Sequence, residues 1–356
     1  RLFGYADDEG MEHEGEVDRN STLDGFFTKY PKVKEGVMAV LDVPKSIGRH
    51  AAAFCVADGP IGDLVPICFV GGEECTQYTK DPIEKVGLVK MDLLGLNTLN
   101  DIRGAIQWIA ALTGKEIDLY DLPLDDEKTW KAFHDGRNET VFQFSKGIGV
   151  DLSRRSQPNS VDDLAQMTSA GRPGTMDALM PDGETLLIDQ WTGVRSGTKV
   201  AEYIHPSVEH ILRETGGVCL FQEQISAMFQ VACGYTEEEA DEIREIVGKK
   251  QADKMKALGP EISRKLAASG WSEIQVESFI SLCNAAAGYS FNKSHAVSYA
   301  YLGFACQYLK ENFPIEWWAS VLQNSKKEDL RANSQYCAKY ISPPDVNLSE
   351  VDVFIA

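Results

Sequence analysis

The chain has 356 residues, 43% hydrophobic and 25% charged, with 35 Lys plus Arg against 54 Asp plus Glu and a formal net charge of −19. This composition is globular and excludes collagen-like, low-complexity and disordered classes, and no apolar run approaches the roughly 18 residues that a membrane span needs. The acidity repels phosphate at long range, so any nucleic-acid role has to rest on local basic clusters within an acidic body. The length suits two or three domains, or one large one. Eight scattered cysteines without a C-x-x-C pair favour a reducing cytoplasm and argue against structural zinc. The chain starts at Arg1 with no signal or transit pattern, which reads as a piece of a longer protein.

In chain order, residues 6–18 hold seven acids and read as a solvated face or loop. Ala51–Val56 and Leu64–Val70 read as short strands, closed by the turn signals Ala57-Asp58-Gly59-Pro60 and Gly71-Gly72. A third run, Val86–Leu94, leads to a helix capped at Asn97 or Thr98. That helix carries Ile102, Ala105, Ile106, Ile109 and Leu112, and stops at Gly114. From about residue 115 the pattern is mostly helical. Thr236–Glu239 and Ser272–Gln275 read as capping boxes, Ser294 as the cap of a long helix, and Pro314 as the start of the next. The fold class is therefore α+β: a small mixed sheet followed by a large mainly helical region.

Four places could carry chemistry. In the third strand Lys90 and Asp92 share one face, while Val89, Met91 and Leu93 share the other. Burying two charges in such a strand needs a pairing or an ion, so the choice lies between a structural Lys–Asp pair and a metal or phosphate site. Arg244-Glu245-Ile246-Val247-Gly248-Lys249-Lys250 reads as a helix ended by Gly248. Its lysines either complement the helix dipole or grip a polyphosphate. In Phe291-Asn292-Lys293-Ser294-His295 a cation stands at a helix start, against the dipole, and asks for an anionic partner. His295 suits a buried helix position equally well. Gly171-Arg172-Pro173-Gly174 is a tight loop with Arg172 as its one charge, either an ordinary surface loop or an anion contact. Gly193–Lys199 looks like a P-loop but has the wrong spacing and no GKS or GKT.

At this point the motifs match a family. The chain resembles the C-family replicative polymerases, the bacterial DNA polymerase III alpha subunits, from about Lys45 to Asn347. His50-Ala51-Ala52-Ala53 is similar to the family's H-A-A-G strand, and Thr76-Gln77 and Gly87–Leu99 to its T-Q and G-L-x-K-x-D-x-L-G-L-x-T-L segments. Val141–Phe144, Gly171–Gly174, Gly217–Gln224, Gly234-Tyr235, Gly248–Lys250, Phe291–His295 and Pro343–Asn347 follow the family's order.

The resemblance implies residues 1–45 as the end of a thumb, 46–97 as the later part of a palm and 98–356 as fingers. It implies Asp92 as a catalytic, metal-holding carboxylate and Lys90 and Arg244 as triphosphate contacts. Lys249, Lys250, Arg172 and Lys293 become basic positions near nucleotide or template, and Gln77 and His295 DNA contacts. The implied cofactor is Mg²⁺, two ions in a complete site. The implied partners are primer–template DNA and dNTP. A polypeptide carrying the upstream palm, a sliding clamp and other replisome subunits are further candidates.

The departures are specific. The family's second fingers arginine is Glu245, its loop proline is Thr175, the acid of V-F-Q-L-E-S is lost in Phe144-Ser145-Lys146, and Ser46 and Ala53 replace a histidine and a glycine. No D-x-D spacing occurs in the chain, so the family's two further catalytic aspartates have no counterpart. One carboxylate cannot balance two metal ions. The expectation is a part of a polymerase that is inactive alone. One half of a split polymerase, or a degenerate non-catalytic module that binds nucleic acid or a replisome protein, are the alternatives.

Overall fold

The computed structural model describes residues 5–6, 12–13, 21–40, 47–50, 52–248 and 252–341. Most of the acidic run at 6–18, together with Lys249, Lys250 and Pro343–Asn347, lies outside the described residues. The chain divides between Leu96 and Asn97 into two units.

Among its described residues the first unit holds six short strands and three α-helices. The strands are β1 (Tyr5–Ala6), β2 (Glu12–His13), β3 (Ala53–Val56), β4 (Ile67–Val70), β5 (Glu73–Thr76) and β6 (Val89–Asp92); the helices are α1 (Ser21–Lys29), α2 (Pro31–Val40) and α3 (Lys80–Lys85). The strands form three separate antiparallel pairs, β1–β2, β3–β6 and β4–β5, and not the single mixed sheet expected. Gly71 and Gly72 both have positive φ (63° and 84°), which a two-residue hairpin between twisted strands requires. The apolar core here is slight: Val65, Ile83 and Leu88 in one cluster, and Phe27 with Leu23 and Val37 in another.

The second unit is helical: α4 (Asn97–Thr113), α5 (Glu127–Asp135), α6 (Gly147–Ser156), α7 (Val161–Ala170), α8 (Pro173–Met176), α9 (Leu187–Arg195), α10 (Glu209–Leu212), α11 (Gln222–Cys233), α12 (Glu237–Gly248), α13 (Ala252–Ala268), α14 (Glu273–Tyr289), α15 (Lys293–Asn312), α16 (Pro314–Asn324) and α17 (Lys327–Ile341). Local signals set many boundaries. α4 buries Ile102, Ala105 and Ile109 at helical spacing and stops at Gly114, φ 69°. Thr236 and Glu239 close a capping box, as do Ser272 and Gln275, and Pro314 opens α16. α15 departs from expectation: Asn292, not Ser294, is its cap, accepting the His295 N–H at 2.9 Å.

One continuous core from Ile102 to Val321 fills this unit, with Trp191, Trp317, Trp318, Phe133, Phe279 and Phe304 among its fully buried rings. A buried polar network threads it. Arg137 bonds Glu311 at 2.6 Å, Tyr340 bonds Glu139 at 2.7 Å, and the fully buried Lys310 donates to the carbonyls of Arg137 and Glu139. Burial pushes the Lys310 ammonium down to about 8, against the pull of Glu139 and Glu311. Among the described residues no helix is long and apolar enough to cross a membrane.

Candidate functional site

In the first unit the period-two geometry of β6 puts Lys90 and Asp92 on one face, and they pair: the Lys90 ammonium lies 2.8 and 2.7 Å from the two Asp92 oxygens. His50 Nδ1 stands 3.6 Å from the same carboxylate. The hydrogen bonds from Lys90 hold the Asp92 carboxyl below its usual range, and the charges of Lys90, His50 and Lys80 act in the same direction.

The burial expected of these charges is observed in part for Lys90, whose side chain is 18% exposed, and not for Asp92. Asp92 is exposed, and so are Phe54, Val56, Val89 and Met91 on the opposite face of the β3–β6 pair. Among the described residues no second layer covers that apolar face, and Asp92 on the other face stays solvated beside the half-buried Lys90. Gln77 turns back on its own chain: its N–H donates to the Pro66 carbonyl at 2.9 Å and its amide to Ile67 at 3.2 Å. Among the described residues no three His, Cys, Asp or Glu side chains come close enough to hold a metal. Asp92 and His50 alone, with both Asp92 oxygens taken by an ammonium, do not make a metal centre.

In the second unit, residues far apart in sequence meet around one isolated parallel bridge, Phe221 to Phe291. The Gln222 N–H donates to the Phe291 carbonyl at 3.0 Å and the Phe291 N–H to the Leu220 carbonyl at 3.1 Å. This ties the start of α11 to the start of α15. Glu223 then accepts from the Asn292 amide at 2.8 Å and from the Lys293 N–H at 3.0 Å, a carboxylate seated on a helix N-terminus as the dipole favours.

The expected cations gather there. Lys293 Nζ reaches Glu214 at 2.6 Å and lies 5.6 Å from the Phe221 ring. Arg244 on α12 bonds Asp241 at 2.7 Å and Gln222 at 3.4 Å. The Asp241 bond raises the Arg244 guanidinium further, with the charges of Glu245 and Glu223 adding to it. The Arg172 guanidinium lies 4.5 Å from the Phe291 ring. His295 is exposed, its ring 5.2 Å from Phe291 and 4.1 Å from Tyr299. Arg172, Arg244, Lys293 and His295 are thus brought together. α12 is described as far as Gly248, and the residues that follow lie outside the described residues.

Sequence reasoning missed Glu214, Glu223, Asn292 and Tyr299. Asn292 is a good cap type in the right place and could have been found; the two glutamates lie about 70 to 80 positions from their partners and carry no local signal. The anionic partner that Lys293 asked for is supplied from within the chain. The P-loop look-alike is the end of α9 and its turn, where the Gly193 carbonyl accepts from the Thr198 and Lys199 N–H groups. That geometry presents an occupied carbonyl and not a cradle of free N–H donors.

Comparison with known proteins agrees with these motifs. A sequence model described as the bacterial DNA polymerase III alpha subunit finger domain matches residues 98–270, and one described as the bacterial DNA polymerase III alpha NTPase domain matches residues 4–95. The chain belongs to the bacterial DNA polymerase III alpha subunit family. The DNA polymerase III subunit alpha of Aquifex aeolicus is 33% identical over 329 residues, 90% of this chain and 28% of that protein. That of Caulobacter vibrioides is 32% identical over 335 residues, 90% of this chain and 28% of that protein. That of Borreliella burgdorferi is 30% identical over 344 residues, covering 94% and 29%. The chain therefore spans under a third of the length of these polymerase III alpha relatives. The junction between the two matched polymerase III alpha domains falls where the structure divides, at Leu96 and Asn97.

Proposed function

We propose that the chain is part of a template-directed DNA polymerase, with residues 1–45 as the end of a thumb, 46–97 as the later palm and 98–356 as the fingers. In the complete enzyme a primer 3′-hydroxyl attacks the α-phosphate of a dNTP and pyrophosphate leaves. The observation that supports this best is the convergence of Arg172, Arg244, Lys293 and His295 around the Phe221–Phe291 bridge. Spaced over more than 120 residues, these positions match separate family motifs yet share one surface. Their role is to neutralise and orient polyphosphate or template, which is most of what phosphoryl-transfer catalysis requires of protein side chains. Lys249 and Lys250 extend the same grip by their place after Gly248.

In the complete enzyme Asp92 would supply one carboxylate to a Mg²⁺ site of two ions, and Lys90 would be the neighbouring triphosphate contact. The described residues do not fit that pair of ions by themselves, since one exposed carboxylate beside His50 offers too few oxygens. The chain on its own therefore does not extend a primer, and the D-x-D strand has to come from the rest of the complete enzyme, with a second polypeptide as the alternative source. The test is primer extension by the chain with such a polypeptide added. Restored extension supports the reading, and in that mixture Glu245→Arg lowers the KM for dNTP. No extension favours a non-catalytic nucleic-acid module. The in-chain carboxylate partners of Arg244 and Lys293 are the observation that keeps that second reading in play.

A further inference from the structure

All eight cysteines are free thiols, and two of them face each other. In the β4–β5 hairpin Cys68 is the register partner of Cys75, between the pairs Ile67–Thr76 and Phe69–Glu74. Register partners project to the same face of a strand pair, so the two thiols leave the hairpin side by side. Just beyond the strands the Gln77 N–H donates to the Pro66 carbonyl. Counting by twos from that bond makes Cys68–Cys75 a hydrogen-bonded pair, whose Cα atoms stand about 5.5 Å apart. A disulfide takes Cα separations of about 4.4–6.8 Å.

Three observations set this pair apart from the other thiols. The first is access: Cys68 and Cys75 are only half-buried, and the Cys75 thiol makes a long contact, 3.7 Å, to the Glu73 carbonyl. The second is compliance. Gly71 and Gly72 form the turn, and among the described residues no third strand joins the pair. Facing Cβ atoms lie about 4.5–5.5 Å apart against about 3.8 Å in a disulfide, and a two-stranded ribbon can twist to close that gap. The third is selectivity. Cys219, Cys283 and Cys306 are fully buried in the second unit, where burial pushes Cys219 and Cys306 up to about 12 and raises Cys283 as well. The thiolate is the reacting species, so those groups are inert near neutral pH. Cys55 packs with Ile67 on the Val65, Ile83 and Leu88 cluster, and Ile67 and Cys68 project to opposite faces of β4.

We propose that Cys68 and Cys75 are an oxidant-responsive dithiol that closes to a cross-strand disulfide, with hydrogen peroxide as the oxidant. One thiolate attacks a peroxide oxygen, the O–O bond breaks and hydroxide leaves, giving a sulfenic acid. The facing thiol attacks that sulfur, and its proton leaves with the sulfenic hydroxyl as water. The hydroxide takes up the proton lost in forming the thiolate, so two thiols and one H₂O₂ become one disulfide and two waters. A small dithiol reverses the bond by exchange. In a reducing compartment such a bond is transient, which makes it a sensor and not a permanent staple. Oxidation fixes the two strands that lead into Thr76-Gln77, and the inference stands independently of the polymerase reading.

The experiment uses the full chain, reduced, freed of reductant and given an equimolar amount of H₂O₂. Remaining thiols are alkylated in denaturant, and the chain is cut after glutamate. Glu73 and Glu74 lie between the two cysteines, so the disulfide appears by mass spectrometry as two linked peptides that dithiothreitol separates. The expected product is the Cys68–Cys75 link, about tenfold above any other pairing, with Cys219, Cys283 and Cys306 still alkylated. Cys55→Ser leaves its yield unchanged. Cys68→Ser abolishes it and leaves Cys75 as a sulfenic acid that dimedone traps. Dibromobimane on the reduced, unsubstituted chain gives a check that needs no variant: it fluoresces once it bridges two thiols, and the bridge is expected on the same two peptides. Links chiefly to Cys55 or between chains, a bimane bridge elsewhere, or oxidation to sulfinic acid with no link overturn the inference.

Discussion

Lys90, Arg244 and Lys293 each carry a carboxylate of the same chain: Asp92, Asp241 and Glu214. These pairs are at least partly exposed, so each adds little to stability. Each sets a competition instead, since a phosphate has to displace the carboxylate before it can use the cation. Glu214→Gln should therefore tighten oligonucleotide binding several-fold at low salt and steepen its salt dependence, without changing the thermal midpoint. Anisotropy across a salt series measures this, and an unchanged affinity would remove Lys293 from the binding surface.

Asp101 on α4 is a different residue-scale case. Burial raises its carboxyl to about 6, against a side-chain hydrogen bond from Asn324. A carboxyl whose folded pKa lies above its unfolded value of about 3.8 adds stability below pH 4 and loses it as pH rises through 6. At pH 7.5 the ionised group is a penalty. Asp101→Asn should then raise stability by about 1 kcal/mol after allowance for the group's partial solvent exposure, and the gain should vanish near pH 4. Thermal melts at the two pH values check this.

At the scale of elements, the start of α15 concentrates what was and was not legible. The helix itself, its apolar stripe and its end before Pro314 follow from spacing and capping chemistry within a few residues, so sequence reveals them. The cap was misplaced by two residues because Asn292 and Ser294 are both good capping types. Asn292→Ala should cost about 1 kcal/mol of stability, and Ser294→Ala far less, as denaturant titration will report. Equal losses would return the cap to Ser294. Glu223 and the Phe221–Phe291 bridge were not legible, because contacts across 70 positions depend on how helices pack and not on any local pattern. Likewise, period two put Lys90 and Asp92 on one face, but the exposure of Asp92 depends on how the strand is covered, and sequence does not encode that locally.

For the whole molecule, the α+β class followed from short strands giving way to long helical spacing near residue 115. The two units differ in how much apolar surface they bury. Among the described residues the second holds one core from Ile102 to Val321, whereas the first has two small clusters around Phe27 and Val65. Residues 97–341 produced alone should unfold in one cooperative calorimetric transition, and residues 1–96 alone should show none. A sharp transition in the smaller piece would mean that its strand pairs are stabilised by more than the described clusters.

As a polymerase part, this chain has to supply a carboxylate and a cationic surface to a site completed by other residues. Primer extension by the chain mixed with a polypeptide bearing the family's D-x-D strand, with and without Asp92→Asn, is the direct test. The expected result is extension by the mixture, none by either part, and none once Asp92 is replaced while the thermal midpoint holds. Undiminished extension by the Asp92→Asn mixture would contradict it.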